Sequence, residues 1–470
     1  MKEITRPTIY RTMKYWGKKP HNIWSSYIEK YSKKNDYILD PFVGSGMTYF
    51  ESVRLNRIPI TIDINPISDF TIKCLSYREV NFVELKKHLE NIINKVKSSD
   101  CYKNEYICTC SECGSRTDIY NYKINGSTTI SYKCSSCKIT TTEIIDKKNK
   151  KYKIRKWVPE KKLSDIESIT NTFIKKIGSN EFKDIWSNRN LVILSEIYDE
   201  ILKIEDDKLK NILVFAFIQC LHLTSKMCIP RSEKSKRPLS TSWGRPAYMV
   251  SDKIFEQNPV IAFEKAVLNA TGVISGIKSS EKYIGNVFNI KSRHFLGDSL
   301  DVLKELADES IDLVITDPPY GDIIQYGDLS EVWVAWLEKY NPKYKINHKK
   351  EVIINKNKDQ SLFEKSLTDI LAEIKRVLKK DSYMILTFNS NNNEDWISLF
   401  NSIKNSGFYI EKVTYQKNKR SSEANVSAKS GIAISDYYFI CKKGKWSIDV
   451  ISKIIKERSL QLDEWRRQIW

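Results

Sequence analysis

Residues 37–48 read Tyr37-Ile38-Leu39-Asp40-Pro41-Phe42-Val43-Gly44-Ser45-Gly46-Met47-Thr48, and this stretch decides the fold. An apolar run ends at Asp40 and enters a glycine turn, where a missing Cβ lets backbone approach a ligand. A helix is expected from about Thr48 to Leu55. The next apolar run, Ile58-Pro59-Ile60-Thr61-Ile62, reads as a buried strand that ends at Asp63. Together they form a β-turn-α-β unit with an acidic residue closing its second strand.

The pattern then stops for more than two hundred residues. Cysteines fill 101–137, a basic run fills 147–156, and the spacing from about Leu163 to Leu223 is helical. Residues 226–246 read as a Pro- and Ser-bearing basic loop. Strand signals resume at Arg293-His294-Phe295-Leu296 and recur at Ile311–Thr316, Tyr383–Phe388, 408–415 and 436–442, with a helical run from Leu367 to Leu378. Alternating strands and helices predict a Rossmann-like, doubly wound α/β sheet with a large insertion after its second strand.

The chain has 470 residues, enough for two to four domains. Its 77 Lys+Arg against 58 Asp+Glu leave +19, which favours a polyanionic partner. The most apolar stretch, Ile212 to Leu223, is too short to span a bilayer, so no membrane partner is expected. The start carries no signal-peptide core. Six of ten cysteines lie between Cys101 and Cys137, which reads as metal ligation in a reducing cytoplasm rather than a secreted disulfide framework.

The turn Asp40, Pro41, Phe42, Gly44, Ser45, Gly46 and Thr48 sits where an α/β sheet binds its ligand, at a strand's carboxyl end. Asp63 can accept hydrogen bonds from both hydroxyls of a ribose. The third glycine of a dinucleotide fingerprint is missing, and no Gly-Lys-Ser/Thr holds a triphosphate. A nucleoside without pyrophosphate fits, and S-adenosylmethionine is the candidate. Asp298, ending the third strand, either receives the adenine amine or caps the next helix.

Asp317-Pro318-Pro319-Tyr320 follows the fourth strand. The exocyclic amine of a base is a poor nucleophile because its lone pair is delocalised into the ring. An acceptor on each N–H localises that pair. Asp317 supplies one acceptor, the Pro318 carbonyl the other, and the fixed φ of Pro318 and Pro319 holds them. Tyr320 offers a face on which an extruded base can stack. Alignment with a sulfonium methyl then does most of the work.

Asp40 to Thr48 together with Asp317 to Tyr320 resembles the amino-methyltransferases of DNA, whose Asp-Pro-Pro-Tyr form usually acts on adenine N6. Tyr15-Trp16-Gly17-Lys18-Lys19-Pro20-His21 resembles the segment that closes over the methionine end of the cofactor, which brings Lys19 and Pro20 to that site. Gly321 to Ser330 and the cysteine insertion resemble the adenine-specific DNA methylases that contain a zinc ribbon. The resemblance implies a class I methyltransferase sheet and double-stranded DNA as partner. It also implies a role in restriction-modification or phage defence, with other restriction or defence subunits as further partners. The boundaries expected are 1–100 and 286–445 for the two parts of the methyltransferase domain. Residues 101–160 are the ribbon and basic segment, 161–285 a helical target-recognition region, and 446–470 a C-terminal helix. An RNA guanine-N2 methyltransferase, a cytosine-N4 enzyme and a non-catalytic DNA-binding subunit are the competing readings.

Cys110-x2-Cys113 and Cys134-x2-Cys137, twenty residues apart, have the spacing of a zinc ribbon. Strand-like residues flank Asn125-Gly126, a strong hairpin signal. Four thiolates leave no open position, so the zinc would be structural. Cys108 is a spare; the spacing favours Cys110. Two basic clusters are candidates for DNA phosphates: Lys150, Lys151 and Arg155 in the run, and Arg231, Arg237 and Arg245 in the loop. Trp243 in that loop is a candidate to fill the hole left by a flipped base. His21 is assigned no role.

Overall fold

The computed structural model describes residues 2–145, 150–230, 238–244, 246–285, 292–390, 392–417 and 435–445. Its strands, in chain order, are β1 (Tyr37–Asp40), β2 (Ile58–Asp63), β3 (Ile107–Thr109), β4 (Arg116–Asn125), β5 (Ser127–Lys133), β6 (Thr140–Ile145) and β7 (Cys228–Pro230). They continue with β8 (Pro238–Ser240), β9 (Ile254–Gln257), β10 (Arg293–Leu296), β11 (Ile311–Thr316), β12 (Leu378–Phe388), β13 (Phe408–Lys417) and β14 (Ser435–Lys443).

The chain is mixed α/β. Seven strands form one sheet in the order β10-β2-β1-β11-β12-β14-β13. The first five are parallel neighbours, and β14 runs antiparallel to both β12 and β13. All six residues of β2 are buried, as expected of a parallel strand covered on both faces. Strand order reverses at β1, which pairs with β2 on one side and β11 on the other. At such a switch point the loops leaving adjacent strands part and open a crevice for a ligand.

Alternation along the strands sends neighbouring residues to opposite faces. Ile38, Leu313 and Ile385 face one apolar cluster, whereas Leu39, Val314 and Leu386 face the other. The second cluster is completed by the helices Gln360–Val377 and Asn393–Asn405, through Leu367, Leu371, Ile374 and Leu399.

Residues 64–292 lie between β2 and β10. They include a second sheet, β3-β4-β5-β6 with β9 paired to β4, and the helices Asn188–Leu202 and Asp207–Cys220. This region shares the first apolar cluster instead of forming a separate core. Trp336, from the helix Tyr326–Tyr340, packs edge-on against Trp186, Tyr198 and Trp157. A buried ion pair ties the helix Asn188–Leu202 to β9. Arg189 Nη2 lies 2.5 Å from Glu256 Oε2 of β9, with its guanidinium 4.0 Å from the centre of the Tyr122 ring in β4.

Local signals account for most ends. Asn81 caps Phe82–Lys97, whose buried Leu85, Leu89, Ile92 and Val96 recur at helical spacing. Two expectations need correcting. β12 starts at Leu378, five residues before the expected Tyr383, and pairs through an irregularity in register with β11. The 226–246 segment is not all loop, since β7 and β8 pair and a short helix covers Thr241–Gly244. Among the described residues, the one stretch apolar and long enough to cross a membrane, Pro259–Ile284, is two helices broken at 269–272 and is partly buried inside the protein. The expected C-terminal helix lies outside the described residues.

Replacing Arg189 by Met leaves the buried Glu256 without its guanidinium partner. The variant is expected to lose about 3–5 kcal/mol, read from its urea midpoint. Arg189→Met/Glu256→Leu should recover most of that. A loss under about 1 kcal/mol in the single variant contradicts this account of the ion pair.

Candidate active site

The turn after β1 is organised by Asp40. Its Oδ1 accepts the Phe42 N–H at 3.0 Å and the Thr316 hydroxyl at 2.8 Å, and its Oδ2 accepts the Thr48 hydroxyl. Trp24 Nε1 donates to Thr48 at 2.9 Å. Burial pushes the Asp40 carboxyl up to about 7, against these donors. Gly44 and Gly46 sit at φ +52° and +80°. A Cβ on Gly44 would stand 3.1 Å from the Tyr15 ring, and one on Gly46 2.8 Å from Ile72. Both the backbone conformation and the close packing therefore call for glycine.

Asp63, at the end of β2, accepts the Gly44 N–H at 2.7 Å and the Asn65 N–H at 2.8 Å. Burial raises its carboxyl to about 6. Asp298 does cap a helix: its Oδ1 accepts the N–H groups of Leu300 and Asp301. Its Oδ2 lies 3.6 Å from Lys350 Nζ. Capping and a ligand contact are compatible, because Asp298 also faces the cavity.

One cavity of about 280 Å³ joins these loops to the fourth. Of the expected residues, its wall includes Lys19, Asp40, Phe42, Gly44, Ser45 and Thr48, with Asp63, Asp298, Asp317 and Pro319 further along. Pro20, Pro41, Gly46, Pro318 and Tyr320 are not among the residues that line it. Pro20 precedes the first turn of the helix His21–Tyr31.

Asp317 Oδ1 accepts the Thr387 hydroxyl at 2.6 Å and the Tyr320 hydroxyl. Among the described residues, no donor is directed at Oδ2. Tyr320 packs edge-on against Phe388, 4.8 Å between centroids. Lys19 Nζ lies 3.2 Å from Asp317 Oδ1, donates to the Tyr320 hydroxyl at 2.5 Å, and pairs with Asp436 Oδ1 at 2.8 Å. Burial disfavours charge on Lys19, but the two carboxylates outweigh it and hold the amine cationic. Burial also raises the carboxyl of Asp317, with Lys19 opposing. Lys19 thus sits at the Asp317 loop as well as on the cavity wall.

Several residues at the site carry no assignment from the sequence. Tyr15 and Tyr326 stack at 5.8 Å and 19° and both line the cavity. Both lie in stretches quoted above for their resemblance, which is the available signal. Asn65 donates to Ser330 at 2.7 Å, fixing the β2 loop to the helix Tyr326–Tyr340. A segment at 348–358 walls the cavity through Glu351, Val352 and Ile353. It is pinned to the Asp317 loop by Ile354 N–H to the Gly321 carbonyl at 3.1 Å. His348 bridges Glu331 and Glu351 at 3.0 and 2.9 Å. Burial lowers its pKa, but those hydrogen bonds win and raise it to about 10. Lys161 reaches Glu331 and Glu338 at 2.7 and 2.6 Å.

In the ribbon, the sulfur atoms of Cys110, Cys113, Cys134 and Cys137 all lie within 4.8 Å of one another, with Cys110–Cys137 at 3.7 Å and Cys113–Cys134 at 3.5 Å. A tetrahedron with Zn–S of about 2.3 Å spaces its sulfurs by roughly 3.8 Å, so the donor set fits zinc. The two knuckles match: Gly114 N–H bonds the Cys110 carbonyl, Lys138 N–H bonds the Cys134 carbonyl, and both residues have positive φ. Asn125-Gly126 turns the hairpin between β4 and β5. Cys108 lies outside the cluster.

Lys150, Lys151 and Arg155 are exposed. Trp243 is half-buried, 5.5 Å from the His222 ring, with Lys14 over its face. Arg231, Arg237 and Arg245 lie outside the described residues. His21 is buried near Tyr10; burial, with Arg6 and Arg54 adding to it, lowers its pKa to about 4, in keeping with a structural residue.

A family model for N6/N4-type DNA methylases matches residues 2–68 and 311–470, the two stretches that supply the cavity's main loops. Over those two stretches the chain is similar to this DNA methylase family. The Type II methyltransferase M.MjaII of Methanocaldococcus jannaschii is 22% identical over 412 residues, 81% of this chain and 71% of that protein. Among solved structures, a Thermus thermophilus protein described as a DNA modification methylase shares 14% identity at a TM-score of 0.19. That match covers 32% of this chain and 52% of the other. The protein PH0851 shares 15% identity at a TM-score of 0.18, covering 39% of each chain.

The chain as purified is expected to carry one zinc ion, measured by elemental analysis. Cys134→Ser should bring that close to zero and lower the melting temperature, since metal binding supplies folding energy to so small a unit. Full zinc content in the variant contradicts the four-cysteine site.

Proposed function

We propose that this methylase transfers a methyl group from S-adenosylmethionine to adenine N6 in double-stranded DNA. The observation that carries the reading is the single cavity bordered by both Asp63 and Asp317, which the sequence separates by more than 250 residues. On this reading the seven-stranded sheet is a Rossmann-like methyltransferase sheet. The insertion recognises the target, and the ribbon zinc is structural.

S-adenosylmethionine, when bound, supplies an electrophilic methyl on a positively charged sulfur. Asp63 holds the ribose hydroxyls, and the Gly44–Gly46 turn gives backbone access. Tyr15 and Tyr326 wall the cavity and exclude water, which strengthens every electrostatic contact inside. Asp317 Oδ2, with no donor of the described residues directed at it, accepts one N–H of the target amine. The Pro318 carbonyl accepts the other. Localising the lone pair in this way needs no strong base before the methyl arrives. Extruding the base costs a few kcal/mol, offset by stacking on Tyr320 and by these bonds. Adenine is chosen over cytosine on the Asp-Pro-Pro-Tyr form of the motif. The likeness to a Type II methyltransferase supports a place in DNA modification, beside a restriction nuclease or in phage defence.

Incubation with methyl-labelled cofactor and duplex DNA, followed by digestion to nucleosides, should yield labelled N6-methyladenine. Label in N4-methylcytosine or in RNA alone rejects the assignment. Asp317→Ala should abolish transfer while DNA affinity stays within about threefold; unchanged transfer contradicts its role.

A further inference from the structure

An aromatic wall runs along the cavity between Asp63 and Asp317. Tyr15 comes from the segment ahead of the helix His21–Tyr31, and Tyr326 opens the helix Tyr326–Tyr340. Their rings stack at 5.8 Å and 19°, and both line the cavity. Tyr15 adjoins Gly44, whose N–H bonds Asp63, since a Cβ on Gly44 would stand 3.1 Å from its ring. After burial, the Asp63 carboxylate is the main influence that raises the Tyr15 phenol. For Tyr326 it is Asp317, with Lys19 opposing and Asp63 adding to it. The order along the wall is therefore Asp63, Tyr15, Tyr326, Asp317, and both phenols stay uncharged. We propose that the Tyr326 ring, backed by Tyr15, is the contact by which the cavity prefers the charged methyl donor to its neutral product.

The proposal rests on the methyl transfer argued above. With a ribose on Asp63 and the accepting amine on Asp317, the sulfur has to lie between them, and Tyr326 is the tyrosine that faces both. The face of an aromatic ring carries negative charge density and attracts a cation, most strongly where water is excluded. S-adenosylhomocysteine is a neutral thioether of nearly the same shape as the donor, so packing alone separates the two poorly. A ring that attracts positive charge separates them directly. It holds the donor until the methyl has left and then ceases to hold the product. The carboxylates of Asp63 and Asp317 also favour positive charge, but they stay in place when the ring is changed, so a change in preference belongs to the ring.

The ring is held from behind and from the side. The next residue, Gly327, donates its N–H to the buried Glu351 at 2.9 Å, and Asn65 bonds Ser330 one turn further along the same helix. Gly17 has φ +70°, and a Cβ there would stand 3.0 Å from the Tyr326 hydroxyl. Backbone conformation and the nearby tyrosine both call for glycine at that position, two residues before Lys19. The segment Tyr15-Trp16-Gly17 thus supplies one ring of the wall and clears room for the other.

The test is calorimetric titration of the full chain with S-adenosylmethionine, S-adenosylhomocysteine and sinefungin, which carries a protonated amine where the donor carries its sulfonium methyl. Wild type, Tyr326→Phe and Tyr326→Leu are compared. In Tyr326→Leu the preference for S-adenosylmethionine over S-adenosylhomocysteine, read as the ratio of their dissociation constants, should fall about 5–30-fold, the size of a desolvated cation–π contact. The preference for sinefungin over S-adenosylhomocysteine should fall with it. Tyr326→Phe keeps the ring and should hold both ratios within about threefold of wild type. Both constants come from one preparation, so a loss of folded protein lowers the stoichiometry and leaves the ratio alone. A smaller fall in Tyr326→Leu, with charged and neutral ligands weakened alike, overturns the proposal, because Tyr326 then only packs. A Tyr326→Phe that falls as far as Tyr326→Leu also overturns it, because the hydroxyl and not the ring then discriminates. If Tyr326→Leu binds none of the ligands, pentafluorophenylalanine at position 326, close to phenylalanine in shape but with the charge pattern of the ring reversed, decides by the same ratio. A wild type that binds none of the three ends the cofactor assignment, and this role with it.

Discussion

Everything at the site depends on β1 and β11 lying side by side. Ile38 pairs with Leu313 and Leu39 with Val314, so the two strands end level with each other. The bond from Thr316 to Asp40 locks that alignment at the mouth of the cavity. Parallel pairing is evenly spaced and register-specific, so the loops after Asp40 and Thr316 have no freedom to drift apart. The consequence is that a glycine turn and an Asp-Pro-Pro-Tyr turn, encoded far apart, share one space.

The region 64–292 is joined to that space by more than its two chain connections. Its helices share an apolar cluster with one face of the sheet, and Trp336 lies at the junction. Polar contacts follow the same route. Lys161 reaches Glu331 and Glu338, the Ser168 N–H donates to Asp328 at 2.6 Å, and Glu167 accepts from Asn357. The helix that carries Asp328, Glu331 and Glu338 begins at Tyr326 on the cavity wall. The 348–358 segment touches Asp298 on the cavity wall, the Asp317 loop and Glu167 together. Residues 161–168 thus reach the wall of the cavity through a few part-buried and exposed polar contacts.

Strand ends are legible in the sequence because an apolar run stopping at an Asp, Gly or Pro is a local event. Asp40, Asp63 and Asp317 all fall where such a run stops, and the cysteine pairs are legible for a similar reason, since a knuckle's spacing is fixed by its turn. The start of β12 is misread because Leu378 continues the helical spacing of Leu371 and Ile374 before it. β7 and β8 read as loop because Pro230 and Pro238 argue against strands. Asp436, Thr387 and Glu351 are invisible for a deeper reason. Each is one polar residue in an ordinary context, and only long-range pairing brings it to the site. The stacking of Tyr15 on Tyr326 is of the same kind, joining positions that share no local pattern.

The most direct test of a shared cavity is a crystal structure of the chain with S-adenosylhomocysteine, the product of the proposed transfer. The account predicts ribose hydroxyls on Asp63 and the sulfur turned toward the loop of Asp317 and Tyr320. A nucleoside bound away from the Gly44 turn, or a sulfur pointing out of the cavity that Asp317 lines, contradicts it.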